Sequence, residues 1–200
     1  MAGLAITLAT EGADDLVVAR RLVELAGHTV APGPGEHQGH GMLDAALPGY
    51  CRVAEHMPWL VLRDLDTEVC APALIERLAP HRPPRMLLRV AVRAIESWFF
   101  ADPETLAAFL GVAANKVPRD PDAEPWPKRA MVELARRSRR RDVKLDMVPA
   151  EGAKRYYGPA YTARMIEYAS DHWRPSVARA RSKSLARTIA ALDGLAMSRG

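Results

Sequence analysis

Short apolar runs that alternate with helix-patterned stretches constrain this chain more than any other feature. The clearest run, WLVL (59–62), passes directly into RDLD (63–66). LAITLA (4–9) and MLLRVAV (86–92) are of the same kind, and all three are too short for buried helices. Between them, ADDLVVARRLVELAG (13–27) starts acidic, stops at Gly27 and aligns Leu16, Val18, Leu22, Val23 and Leu25 in a stripe. APALIERLAP (71–80) reads as a helix with Pro at its second position, closed by HRPPR. HTVAP (28–32) suggests a short second strand and GPGEHQGHG (33–41) a flexible loop. MLDAALPGYCRVAEHM (42–57) reads as helical in parts, broken at Pro48-Gly49. Strand–helix alternation with continuously apolar strands predicts an α/β layer fold, its mostly parallel sheet covered on both faces.

The second half changes character. After a helix predicted over Pro103–Leu110, NKVPRDPDAEPWPK (115–128) holds four prolines and reads as a linker or surface loop. The expected organisation is an α/β core over 1–115 and a basic helical extension over 116–200, packed together as one globular unit. A last helix places Leu185, Ile189, Leu192 and Ala196 on one face. Residues 1–100 carry 9 Arg, no Lys and 12 acids, whereas residues 101–200 carry 19 basic residues and 12 acids. An acidic half beside a basic half is one way to hold cations and phosphates side by side, and ordinary scatter is the alternative. No apolar run is long enough to span a bilayer, and the two cysteines, Cys51 and Cys70, make no disulfide framework. The expected setting is a reduced cytoplasm, with no membrane partner.

Asp64 and Asp66 follow the best strand directly. On an extended strand both side chains would point the same way, roughly 6.6 Å apart. At an effective dielectric of 20 they would repel by about 2.5 kcal/mol, which exposure, a cation or protonation of one acid would relieve. In open α/β sheets, ligands sit beyond the carboxyl ends of the strands. Glu11 follows the first strand in the same manner, so three carboxylates at two strand ends form a reasonable hard-cation site. In the competing reading Asp64 caps the next helix, Asp66 is solvated, and Asp14 and Asp15 only complement a helix dipole.

EG (11–12), DLD (64–66), RAIESWFFAD (93–102) and RARSKSLARTIAAL (179–192) occur in this order over most of the chain. Together they resemble the Toprim domain of topoisomerases, primases and OLD-family nucleases, and more closely a Toprim-like family of bacterial proteins of unknown function. The resemblance implies a four-stranded, mainly parallel sheet between helices, with a C-terminal helical extension. It implies Mg²⁺, replaceable by Mn²⁺, held by Glu11, Asp64 and Asp66, with Glu96 as a fourth carboxylate. Glu11 would act as general acid/base, and Arg93 would pair with the acids or contact a phosphate. The implied activity is a nuclease-like phosphodiester hydrolysis in bacterial defence or DNA repair, with a partner ATPase in some settings. A catalytically inactive binding or regulatory subunit is the alternative. Ala94 stands where the family pattern often has an acid, which bears on a second metal.

RAMVELARRSRRR (129–141) reads as a basic helix. Arg136, Arg137, Arg139, Arg140 and Arg141, with Arg181 and Lys183 in RARSKS, are the candidate nucleic-acid contacts; a solvated helix with local ion pairs is the alternative. Aromatics interleave sparsely with these cations, so single-strand stacking is not indicated, and Trp98, Phe99 and Phe100 read as core. His37, His40, Cys51 and His56 lack the paired spacing of a zinc site, and the glycine-rich loop lacks a P-loop ending.

Overall fold

The structure, a computed structural model, describes residues 3–197. Four strands, β1 (Ala5–Thr10), β2 (Thr29–Glu36), β3 (Trp59–Asp64) and β4 (Met86–Ala91), form a sheet in the order β2-β1-β3-β4. Every neighbouring pair is parallel. The chain is therefore α/β, a four-stranded parallel sheet flanked by helices with a C-terminal helix; the alternating runs predicted the parallel α/β layers, and the resemblance implied the four strands.

The strands are apolar along their length because both faces are covered. Helix α1 (Ala13–Leu25) buries Val18, Ala19, Leu22 and Val23 against Ile6, Leu8, Leu60 and Leu62. On the other face, α2 (His40–Val53) and the segment after α3 (Ala71–Leu78) pack Leu43, Leu47 and Ala79 against Ala9, Trp59, Val61 and Leu88. Successive strand residues point to opposite faces, so Trp59 and Val61 belong to one core and Leu60 and Leu62 to the other.

Two local expectations fail. β2 runs on through Gly33 and Gly35, because pairing with β1 resumes after a bulge, at Ala9 with Gly35 and Thr10 with Glu36. Helix α2 passes through Pro48 without stopping; Leu43 and Leu47 anchor it to the sheet on the N-terminal side of the proline.

Beyond β4 come α4 (Ile95–Phe100), α5 (Pro103–Leu110), α6 (Pro127–Arg136), α7 (Arg141–Met147), α8 (Tyr161–Asp171), α9 (Pro175–Ala178) and α10 (Lys183–Met197). They extend the α1-side core: Trp98, Phe99 and Phe100 are fully buried and share it with Met131, Tyr161, Tyr168, Trp173, Leu185, Ile189 and Leu192. The side chain of Ala196 lies outside the described residues. The basic segment is not one helix. Ser138 is buried, donates to the Leu110 carbonyl at 2.5 Å and accepts from the Arg140 amide at 2.9 Å, so the chain turns between α6 and α7. Among the described residues, no helix is long and apolar enough to cross a membrane.

Candidate functional site

The strand order makes β1 and β3 neighbours whose outgoing chains diverge, β1 into α1 on one face and β3 into α3 on the other. The carboxyl ends of such a pair form the crevice where open α/β sheets bind ligands. Here the crevice is a cavity of about 470 Å³ lined by six carboxylates: Glu11, Asp14, Asp15, Asp64, Asp66 and Glu96. Three cationic side chains, Arg93, Lys128 and Arg129, also line it.

Local structure delivers each acid. Glu11 follows β1, and Gly12 caps α1 with extended backbone. A Cβ on Gly12 would lie 3.1 Å from Asp14 Oδ1 and 3.3 Å from Asp15 Oδ2, so glycine lets both carboxylates fold back over the turn. Asp14 and Asp15 are buried, at 8% and 7% exposure. Neither accepts a hydrogen bond among the described residues, although both sit in the first turn of α1. Asp64 ends β3, and its Oδ1 accepts the Ile95 amide at 3.1 Å, which caps α4 rather than the helix that follows in sequence. Asp66 is not on the strand. It has φ +50, outside extended backbone, and its amide bonds the Arg93 carbonyl. The expected side-by-side strand geometry of Asp64 and Asp66 is thereby replaced by a turn that leaves Asp66 half exposed.

A buried arginine organises part of this cluster. Arg63 donates from Nη1 to Glu11 Oε1 at 2.9 Å and to Asp66 Oδ2 at 3.1 Å, and from Nε to Asp44 Oδ1 at 3.2 Å. Glu11 Oε1 also accepts the Asp64 amide at 2.8 Å. Glu11 and Asp66 are thus tied to a cation already present. Asp15, Asp64 and Glu96 are not tied to it. Glu96, at 2% exposure, accepts the Tyr161 hydroxyl at 2.9 Å and faces Lys128. Lys128 comes from the start of α6, with its ammonium 5.2 and 5.3 Å from the ring centroids of Tyr157 and Tyr161.

The electrostatics follow from burial. Desolvation, then the charges of Asp15, Glu96 and Glu11, hold the Asp64 carboxyl well above the usual carboxylate range. Asp15 is likewise pushed well up by burial and by Asp14, Glu11 and Glu96, against a smaller opposing pull from Lys128. Burial also raises Glu11, more than Arg63 and the Asp64 amide lower it, and raises Glu96 against the opposing pull of Lys128. Lys128 itself loses by burial and gains more from Glu96 and Asp14, so it stays charged. Crowded, buried carboxylate oxygens with charge left over are the donor chemistry of a hard divalent cation. As the side chains stand, no three His, Cys, Asp or Glu among the described residues converge closely enough to hold one.

The other predicted residues sort by position. Arg93 lines the cavity, but its Nη1 donates to the carbonyls of Asp66 (3.1 Å) and Glu68 (2.8 Å), not to a carboxylate. Arg136, Arg137, Arg139, Arg140 and Arg141 lie at the far end of α6 and beyond it. Arg136 is eight residues from Lys128, about 12 Å along the axis. Arg136 pairs with Glu133 and Arg140 with Asp142 and the Phe109 carbonyl. RARSKS is a structural joint: Arg181 bonds the Arg119 carbonyl, Asp122 caps α10 through Ser182 and the Lys183 amide, and Ser184 accepts from Trp98 Nε1 at 2.8 Å. His37 bonds the Tyr50 hydroxyl, and Cys70 is exposed.

Sequence reasoning missed Arg63, Lys128 and the burial of Asp14 and Asp15. An arginine inside an otherwise apolar strand was a signal for the first. Lys128 was hidden in a proline-rich stretch read as a linker, which in fact brings Pro125, Trp126, Pro127 and Lys128 to the cavity wall. Comparison with protein-family models, with curated proteins and with solved structures finds no match to the chain.

Proposed function

We propose that the cavity is a divalent-cation site for hydrolysis of phosphate esters, most specifically phosphodiesters of nucleic acid. The observation that carries this reading is the pair Asp15 and Asp64, a buried and a partly buried carboxylate at the sheet's carboxyl rim, crowded by each other, Glu11 and Glu96 and only partly offset by Lys128. A cation is the simplest relief for both. The resemblance to Toprim-like proteins in EG, DLD and RAIESWFFAD supports the same reading. Asp15, Asp64 and the unbonded Oε2 of Glu11 would hold Mg²⁺ or Mn²⁺, with Asp66 and Glu96 beside them. The ion would supply polarisation of a phosphoryl oxygen and activation of water. Lys128 and Arg93 would draw the phosphate to the acidic wall, each cation offsetting the repulsion a phosphate meets there. Burial of Glu96 between Lys128 and Tyr161 suits a proton carrier, because its carboxyl is held nearer to neutrality than an exposed glutamate.

The test is incubation of plasmid and of short single strands with Mn²⁺. Cleavage by the wild type that disappears in Glu11→Gln is the expected result. A second reading has its own observation: Arg63 already occupies Glu11 and Asp66, as a cation-binding module that has lost hydrolysis would tolerate. Metal-dependent thermal stabilisation without cleavage of any strand would favour it. Failure of Mn²⁺ to stabilise the protein at all would remove both.

A further inference from the structure

The chain has four tryptophans. Trp59, Trp98 and Trp173 are at most 5% exposed, and Trp126 is 55% exposed. A single half-exposed tryptophan is ordinary by itself, but Trp126 belongs to a cluster. Trp126 lies between Pro125 and Pro127, whose rings restrict the backbone on either side. It stands on the wall of the acidic cavity together with Tyr156, itself 47% exposed. The Arg129 guanidinium lies 5.4 Å from the centroid of each ring, linking a residue of the proline-rich stretch to one thirty positions later. Two half-exposed aromatic rings, an arginine between them and a carboxylate cluster therefore share one cavity. In the linear sequence the aromatics are scattered among the basic residues, and only the fold brings them to a single lip.

We propose that the Trp126–Tyr156 lip is a nucleobase-stacking subsite, so that the site takes a single-stranded nucleic acid rather than intact duplex. The proposal deepens the phosphate-ester reading of this cavity and rests on it. A π-face beside a cation accepts any base, because every base offers a π-face to stack. Bases inside a duplex are stacked on one another and cannot reach the lip without being extruded. A cavity of about 470 Å³ falls in the range of small-ligand sites, which suits one nucleotide unit and not a helix. Lys128, Arg93 and Arg129 line the same cavity and supply positive charge for the strand's phosphates while the base meets the rings.

Trp126 also provides the readout, because it is the one tryptophan of the four open to a ligand. Wild-type protein in Ca²⁺ is titrated with pentathymidylate, with an abasic strand of equal charge and with a blunt hairpin duplex, following tryptophan emission and, separately, anisotropy of end-labelled strands. The expected result is quenching by pentathymidylate alone. Trp126→Ala should weaken its binding by about tenfold and leave the abasic strand unchanged, and Trp126→Phe should restore most of the loss. Equal binding of base-bearing and abasic strands, preference for the duplex, or no effect of Trp126→Ala would overturn the subsite. So would absence of binding by either strand. Thermal stabilisation by Mn²⁺, measured on the same protein without nucleic acid, keeps that failure distinct from failure of the cation site. Because Trp126 is exposed, its substitution leaves the core intact.

Discussion

Asp102, a fully buried carboxylate, and Asp64, a partly buried one, belong to the same sheet-and-helix assembly and are treated in opposite ways. Asp102, fully buried, accepts Arg174 Nη2 at 2.6 Å, Arg174 Nε at 3.0 Å and the Arg174 amide at 3.2 Å. Burial alone would raise its carboxyl, but the Arg174 bonds outweigh it and hold the group below the usual range. Asp64 accepts one amide, faces Asp15, Glu96 and Glu11, and is held well above that range. The first arrangement closes a structural joint between α5 and the start of α9. The second leaves charge unsatisfied where the strands end. Crowded carboxylates at a sheet's carboxyl rim, only partly offset by Lys128, are a feature of sites that await a ligand, whereas a forked arginine pair is sufficient to itself.

The contrast is broken most violently at Arg174. Arg174→Met should strand the Asp102 carboxylate without a partner and lower the melting temperature by about ten degrees at neutral pH. The loss should shrink in acid. Asp102 has a depressed folded pKa, so its stabilisation is present above the ordinary carboxylate range and lost as pH falls through the lower folded value. Thermal melts of wild type and variant between pH 3 and pH 7 check both parts. An equal deficit at every pH would mean that Arg174 acts by packing alone.

Next in size is the response to a cation. Mn²⁺ at roughly a hundred times its Kd should raise the wild-type melting temperature by about 5–10 °C. Asp64→Asn and Asp15→Asn should each abolish that rise. Both should also stabilise the metal-free protein by a few degrees, because an amide removes a repelled charge without changing shape. A variant that kept the Mn²⁺ shift would take its residue out of the cation site.

How far this contrast could be foreseen depended on the kind of residue. WLVL and LAITLA announced buried parallel strands because their apolar runs are continuous, and EG and DLD sat visibly at strand ends. Asp14 and Asp15 were hidden by their position: acids in a first helical turn already have a dipole explanation, and only burial distinguishes them. Asp102 was hidden in a run that reads as a helix start, since Arg174, which neutralises it, lies seventy-two residues away. The basic tract from 128 to 141 reads as one feature and folds as two, because the buried hydroxyl of Ser138 ends α6. Long-range pairing of charge leaves no mark on local composition, which is why strands were legible and electrostatic roles were not.

A smaller effect comes from pH alone. Asp64 and Asp15 have raised folded pKa values, so the folded state binds more protons than the unfolded chain above the ordinary carboxylate range. Their contribution is therefore greatest in acid, below the unfolded pKa, and is lost as pH rises toward the folded values, opposite in sign to that of Asp102. In Mn²⁺ the loss should vanish, and binding should release protons measurable in weakly buffered solution. Melts across pH 4 to 8 with EDTA and with Mn²⁺ check it; parallel curves would mean that the two carboxylates are already neutralised.

The finest division falls on Glu96, which stands between the two extremes. One hydroxyl and one ammonium face it, enough to offset part of its burial but not to bring its carboxyl below the ordinary range. Tyr161→Phe should remove the hydroxyl and shift Glu96 further up. The expected cost is about 1 kcal/mol, or roughly 2–4 °C in melting temperature, at pH values where Glu96 is charged. The cost should fall in acid, where a protonated Glu96 no longer needs the donor. If the proton held at Glu96 takes part in turnover, the variant's cleavage optimum should move to higher pH, while its Mn²⁺ shift stays near the wild-type value. A lost Mn²⁺ shift would instead make Glu96 a ligand in its own right, and would align it with Asp64 rather than with Asp102.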